Sequence, residues 1–157
     1  MKVLVTGVGG QLGHDVMKEL KKRGHEAIGT DVQGDCDLTL DITDTAAVSL
    51  AIRQVQPDAL IHCAAWTAVD AAEDQVELVR AINAGGTANL AAACKENGCK
   101  MMYISTDYVF PGDGDAHYLP DAPTGPKGNY GRTKLAGELA VQAMLTEDFI
   151  VRISWVF

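Results

Sequence analysis

The sequence predicts an α/β domain built on a doubly wound parallel sheet, and three observations carry that expectation. Short, β-rich apolar runs alternate with helical patterns from one end of the chain to the other, which implies right-handed βαβ units. The first run is apolar throughout, as expected of a strand covered on both faces. The first strand-to-helix turn, Gly7-Val8-Gly9-Gly10-Gln11-Leu12-Gly13, is rich in glycine.

Lys2 to Thr6 reads as the first strand. Leu12, Val16 and Leu20 then recur four residues apart on one helix face, and Gly24 supplies a stop. His25 to Thr30 is a second strand. Thr43 or Asp44 can cap a helix carrying Val48, Ile52 and Val55, which Pro57 ends. Ala59 to Cys63 is a third strand. Val76, Val79, Ile82, Gly86, Leu90 and Ala93 form one long stripe with Gly98 beyond it. Lys100 to Ser105 is a fourth strand, Leu135 and Leu139 mark a further helix, and Phe149 to Ser154 is a fifth strand. Pro111 to Asn129 is irregular and holds all but one of the five prolines; such a loop in a compact domain is usually functional or mobile.

Composition narrows the function. With 157 residues, one core is expected. Thirteen Lys and Arg face 21 Asp and Glu, a net charge of −8, which argues against a binder of nucleic-acid backbones. No apolar run approaches the roughly 18 residues of a membrane span, and the opening run is too short for a signal peptide. Cys36, Cys63, Cys94 and Cys99 show no C-x-x-C spacing and read as reduced thiols, so the expected address is cytoplasmic. His14, His25, His62 and His117 lie at no metal spacing and read as surface or packing residues, and no metal is expected.

The glycine turn follows a strand and opens a helix, the setting of a Rossmann-like dinucleotide site. Glycine there permits a tight turn, lets backbone N–H groups approach a pyrophosphate, and seats the helix on the sheet. Asp31, 18 positions beyond Gly13, closes the second strand, where a carboxylate can accept hydrogen bonds from ribose hydroxyls. The same carboxylate disfavours a 2′-phosphate, so NADH is expected ahead of NADPH, with both open. Asp41 and Ile42 can border the adenine, although helix capping nearby explains them equally well.

Tyr130 and Lys134 stand four apart on one helix face. A nearby cation favours the phenolate and is expected to lower the tyrosine pKa, which suits proton transfer; the lysine can also hold ribose hydroxyls. Ser105-Thr106-Asp107 ends the fourth strand, at the sheet edge where α/β proteins hold ligands. Thr106 can hydrogen-bond a substrate oxygen, and Asp107 a sugar hydroxyl. Small residues after the third strand, Cys63-Ala64-Ala65, can lie against a cofactor, with Trp66 or Asp70 reaching substrate.

These residues resemble the extended short-chain dehydrogenase/reductases, and within them the dTDP-4-dehydrorhamnose reductase family. The likeness spans the chain: VTGVGGQLG at 5–13, HCAAWTAVDAAED at 62–74, IN with GT at 82–87, MYISTDYVF at 102–110, YGRTKLAGE at 130–138 and RISWVF at 152–157. The glycine turn and Y-x-x-x-K are superfamily-wide, whereas AAWTAVDAAED, STDYVF and RISWVF are more specific. Asn129 stands where relatives often carry an aliphatic residue.

The resemblance implies NADH- or NADPH-dependent reduction of the 4-keto group of a dTDP-6-deoxy-hexulose, giving dTDP-L-rhamnose. It implies Tyr130 as proton donor, Lys134 as its helper and Thr106 as the hydroxyl tuning it. Gly7, Gly10, Gln11, Leu12, Gly13, Asp31, Asp41, Ile42, Cys63, Ala64, Ala65, Tyr130 and Lys134 would meet the cofactor, and Thr106, Asp107 and Trp155 the dTDP-4-keto-6-deoxy sugar. It admits a homodimer. Residues 1–157 would be the NAD(P)-binding domain, with the smaller substrate lobe of relatives expected beyond Phe157. Two alternatives share these residues: a nucleotide-sugar epimerase or dehydratase, and a non-catalytic NAD(P)-binding regulatory subunit resembling that of methionine adenosyltransferase.

Overall fold

A computed structural model of the chain describes residues 1–113 and 117–155. Val156 and Phe157, the end of the RISWVF motif and of the 1–157 domain, lie outside the described residues. The strands are β1 (Lys2–Thr6), β2 (Glu26–Asp31), β3 (Leu38–Thr39), β4 (Ala59–His62), β5 (Lys100–Thr106) and β6 (Asp148–Ile153). The helices are α1 (Gln11–Lys22), α2 (Thr45–Val55), α3 (Ala71–Asp74), α4 (Val76–Arg80), α5 (Thr87–Asn97) and α6 (Asn129–Met144). Every strand pair is parallel, in the order β3-β2-β1-β4-β5-β6. The chain moves outward from β1 in one direction and then returns to start again at β4. Between β1 and β4 the connections diverge, which opens a crevice at the carboxyl ends of those strands.

The two faces of the sheet are covered unequally. Leu4, Leu60, Met101 and Tyr103 face the main core, where Val48 and Ile52 of α2, Leu90 and Cys94 of α5 and Val141 of α6 pack on them. Val3 and Val5 point the other way, onto Met17 of α1 with Val16 and Leu20 alongside. Alternate residues of β1 thus meet helices on opposite sides, which is why the run is apolar without a break.

The structure departs from the sequence expectation in several places. β3 is only two residues long and α3 only four, too short to leave a periodic signal. The long stripe from Val76 to Ala93 is interrupted by a π-helical stretch, Ala81–Gly86, between α4 and α5. Asp44, not Thr43, caps α2, its side chain accepting from the N–H groups of Ala46 and Ala47. In α6 the leucines marked the helix but not its inner face. Leu139 is 57% exposed, while Tyr130, Thr133, Lys134, Gly137, Glu138 and Val141 are buried. That face is largely polar because it is built against strand ends and carries side chains for the site.

Candidate active site

The turn between β1 and α1 is shaped by what its glycines exclude. Gly7 has φ of +75°, and a Cβ there would stand 2.6 Å from the Ala64 nitrogen, so the ends of β1 and β4 close together only without a side chain. A Cβ on Gly13 would lie 2.8 Å from the Gly7 carbonyl carbon and 2.9 Å from the Val8 Cα, which fixes α1 hard against the turn. Gly10 occupies the N-cap position of α1 in an extended conformation and offers no side-chain oxygen to the first turn. N–H groups of that turn therefore face outward for an anion, with the helix dipole behind them. Asp31 at the end of β2 accepts from the Gly9 N–H at 2.9 Å and from its neighbour Val32 N–H at 2.7 Å.

A cavity of about 740 Å³ runs from this turn across the sheet ends. Gly7, Gly10, Gln11, Leu12 and Gly13 line one end with Asp31, Asp41 and Ile42; Cys63, Ala64 and Ala65 line the middle; Thr106, Asp107, Tyr130, Lys134 and Trp155 line the other end. Trp66 also lines it, whereas Asp70, at the start of α3, does not. Trp155 sits at the rim, 80% exposed and with φ of +55°, a backbone conformation that non-glycine residues seldom adopt.

At the far end the Lys134 ammonium donates to the Ile104 carbonyl at 2.7 Å and rests 4.3 Å above the Tyr103 ring. Burial pushes its pKa down to about 7, against the opposing pull of Glu138 and Cys63. Tyr130 is packed by Ala72 and Val79, with the Tyr108 ring edge-on at 5.6 Å. Burial raises its phenol above the ordinary value, while the neighbouring Thr106 hydroxyl pulls it down and Asp107 and Tyr108 push it up. The phenol is thus raised by desolvation, not lowered by the lysine as the spacing suggested, and the ammonium is turned into the end of β5. Thr106 Oγ1 donates to Asp107 Oδ1 at 3.1 Å and accepts from the Tyr108 N–H at 3.2 Å.

Several buried polar residues that no sequence argument assigned hold these walls together. Asn83 accepts from the Trp66 N–H at 2.8 Å and donates to the Trp66 carbonyl at 3.1 Å and to Thr133 Oγ1 at 3.3 Å. Thr87 Oγ1 donates to the Asn83 carbonyl at 2.7 Å, so it can only accept from His62 Nε2 at 3.0 Å. His62 is therefore the Nε2–H tautomer, and its Nδ1 accepts from Thr6 Oγ1 at 2.7 Å. Burial, helped by the Lys134 charge, pushes its pKa down to about 3. The signal for Asn83 and Thr87 was present in the IN and GT residues at 82–87, but spacing alone gave them no role.

The family model described as RmlD substrate binding domain matches residues 1–157. The chain belongs to the RmlD family. This RmlD-family chain is 45% identical over 155 residues to a dTDP-4-dehydrorhamnose reductase of Streptomyces griseus, covering 98% of the chain and 49% of that relative. It is 39% identical over 157 residues to the dTDP-4-dehydrorhamnose reductase of Escherichia coli K12, covering 100% and 52%. Among solved structures, a dTDP-4-dehydrorhamnose reductase of Clostridium acetobutylicum superposes with a TM-score of 0.94 at 43% identity, covering 100% of this chain and 54% of that one. One from Bacillus anthracis, in complex with NADP, gives 0.93 at 40%, covering 100% and 55%. The RmlD-family chain thus spans about half the length of the relatives it matches. No helix among its described residues is long and apolar enough to cross a membrane.

Proposed function

We propose that this chain is the cofactor-binding half of an NAD(P)H-dependent oxidoreductase that reduces the 4-keto group of a dTDP-6-deoxy-hexulose to dTDP-L-rhamnose. The observation that carries the reading is a single cavity, with a side-chain-free anion cradle at one end and Tyr130, Lys134 and Thr106 at the other. The cradle fits a pyrophosphate, since Gly7 and Gly13 let β1, β4 and α1 close tightly around the turn, Gly10 leaves its wall bare, and the N–H groups of the first turn of α1 face it. Asp31 lies where a ribose would present its hydroxyls, and Ala64 and Ala65 offer a flat wall. Bound there, the nicotinamide would supply the hydride.

The chain's own residues manage the proton. Tyr130 holds it on the phenol oxygen, and burial keeps that oxygen protonated at neutral pH until a forming alkoxide claims it. Lys134 lines the same wall with its ammonium held on the Ile104 carbonyl, where it can take a ribose hydroxyl of the cofactor and so orient the nicotinamide. Thr106 can turn its hydroxyl from Asp107 to the substrate oxygen and share the charge that develops there. Four free cysteines suit a reducing, cytoplasmic compartment.

The test is consumption of NADH and NADPH with a dTDP-4-keto-6-deoxy sugar, on this chain and on one extended to the length of its relatives. Stoichiometric oxidation supports a reductase; catalytic product with no net oxidation indicates an epimerase or dehydratase and overturns it. Tyr130→Phe is expected to lower turnover by about a thousandfold or more while NADH affinity changes less than about threefold. A wild-type rate in that variant removes Tyr130 from the proposal.

A further inference from the structure

Two residues of the motifs at 130–138 and 152–157 find each other in the interior, away from the cavity wall. Glu138 is 1% exposed, and Arg152 grips it with Nε donating to Oε1 at 2.9 Å and Nη2 to Oε2 at 2.7 Å. Ser105 Oγ donates to the same Oε1. Arg152 also donates through Nη1 to the Pro120 carbonyl at 3.0 Å and lies 4.8 Å over the Phe110 ring, which stacks on Tyr118 at 4.4 Å. One carboxylate thereby ties together α6, the ends of β5 and β6, and the loop after β5.

We propose that the Arg152–Glu138–Ser105 clamp positions the Lys134 ammonium and the Thr106 end of β5 for the roles described above. The inference rests on that functional reading and adds to it Glu138 and Arg152, which do not line the cavity, acting through Ser105, which does. Ser105 sits between Ile104, whose carbonyl accepts from Lys134, and Thr106, so Glu138 fixes the stretch that carries both. Glu138 is also one helical turn beyond Lys134 on the same face of α6, as Lys134 is one turn beyond Tyr130.

The clamp has an electrostatic side that can be read directly. Lys134 faces His62 and Cys63 at the end of β4, Tyr103 on β5, and Tyr130 and Glu138 on its own helix; Arg152 of β6 stands behind Glu138, and Asp107 lies beside Tyr130. His62 stays neutral at about 3 and the Cys63 thiol is pushed up to about 11. Glu138 is accordingly the anion that offsets the burial of Lys134, and Arg152 moderates it.

The experiment follows the Lys134 side chain by NMR titration of ¹³Cε-lysine in the folded chain, with the resonance assigned by its loss in Lys134→Met. The wild-type midpoint is expected near the value of about 7 that burial sets. Glu138→Gln should move it down by about one pH unit or more, Arg152→Gln should move it up, and Glu138→Asp should stay near the wild type. Opposite signs from the two neutralising variants support the clamp, because loosening of the structure alone would shift both the same way. Shifts in a common direction, or both under about 0.2 unit, overturn it. If Glu138→Gln does not fold, Arg152→Gln, whose side chain is 19% exposed, is paired with Arg152→Lys, which keeps the positive charge: an upward shift in the first alone supports the clamp, and equal upward shifts in both, as loosening would give, overturn it. NADH binding by the unaltered chain is measured in parallel. Its absence strikes the functional reading, whereas absent or same-sign shifts strike the clamp.

Discussion

Replacing Gly13 by alanine tests whether the first turn is built to hold an anion or merely to reverse the chain. The new methyl would meet the Gly7 carbonyl oxygen first, then the Gly7 carbonyl carbon at 2.8 Å and the Val8 Cα at 2.9 Å, all backbone atoms that cannot swing aside. α1 must retreat by about an ångström, enough to forfeit about half of the well depth of each dispersion contact it makes. Those contacts are Met17, Val16 and Leu20 on Val3 and Val5. Overpacking against fixed backbone falls in the upper part of the usual range, about 2–3 kcal/mol, and the better helix propensity of alanine returns about 1. A net loss of about 1–2 kcal/mol lowers the melting temperature by about 2–8 °C in a domain of this size. Gly10→Ala is the contrast. Its Cβ has only the Gly7 carbonyl oxygen near it, at 3.4 Å, and its φ of −84° suits any residue. The fold should tolerate it within about 2 °C, while the methyl on the cavity wall weakens NADH by about tenfold or more. Thermal unfolding and fluorescence titration with NADH measure both quantities. An unchanged melting temperature and affinity in Gly13→Ala, or wild-type affinity in Gly10→Ala, refutes the cradle.

Two further outcomes follow from the buried polar residues. His62 has its pKa pushed down to about 3 in the fold but titrates near 6.5 when unfolded, so the unfolded chain binds the extra proton between those values. Stability is then full above pH 6.5 and falls by up to about 1.4 kcal/mol per pH unit below it. Urea unfolding at pH 6.5 and 5 should show that slope in the wild type and lose it in His62→Gln. Asn83→Ala strips the Trp66 N–H and carbonyl of their partner, with an expected loss of about 2–3 kcal/mol and weaker NADH binding, checked by the same unfolding and titration.

How much of this was legible in the sequence depends on what each residue has to satisfy. β1 announced itself because both its faces are covered, and the glycine turn because its function is steric: Gly7 and Gly13 are where no other residue fits. Tyr130 and Lys134 were legible as a helical pair, but their electrostatics were not. Spacing gives proximity, whereas the direction of the Tyr130 shift is decided by burial, with Thr106 opposing it and Asp107 and Tyr108 adding to it. Leu135 and Leu139 misled in the same way, since periodicity finds a helix and cannot say which side meets the protein when the inner face is polar. Glu138 and Arg152 were silent, because an acid on a helix and a base on a strand 14 positions later suggest solvent until the fold buries them together.

The polar interior is what makes one site out of two halves. From Thr6 at the foot of the glycine turn, hydrogen bonds run to His62, Thr87 and Asn83, and from Asn83 to Trp66 and Thr133, whose hydroxyl donates to the Tyr130 carbonyl at 2.9 Å. Every member but Trp66 is under a tenth exposed, and no buried side-chain nitrogen or oxygen among the described residues lacks a partner. An apolar core would have packed these elements as well but would have let α6 slide over the ends of β1 and β4. A chain of fixed donors and acceptors admits one register only, because a shifted helix would strand several buried polar atoms at once. The distance between the cradle and the Tyr130 hydroxyl is therefore set by directional bonds, and a dinucleotide of fixed length demands that of the fold.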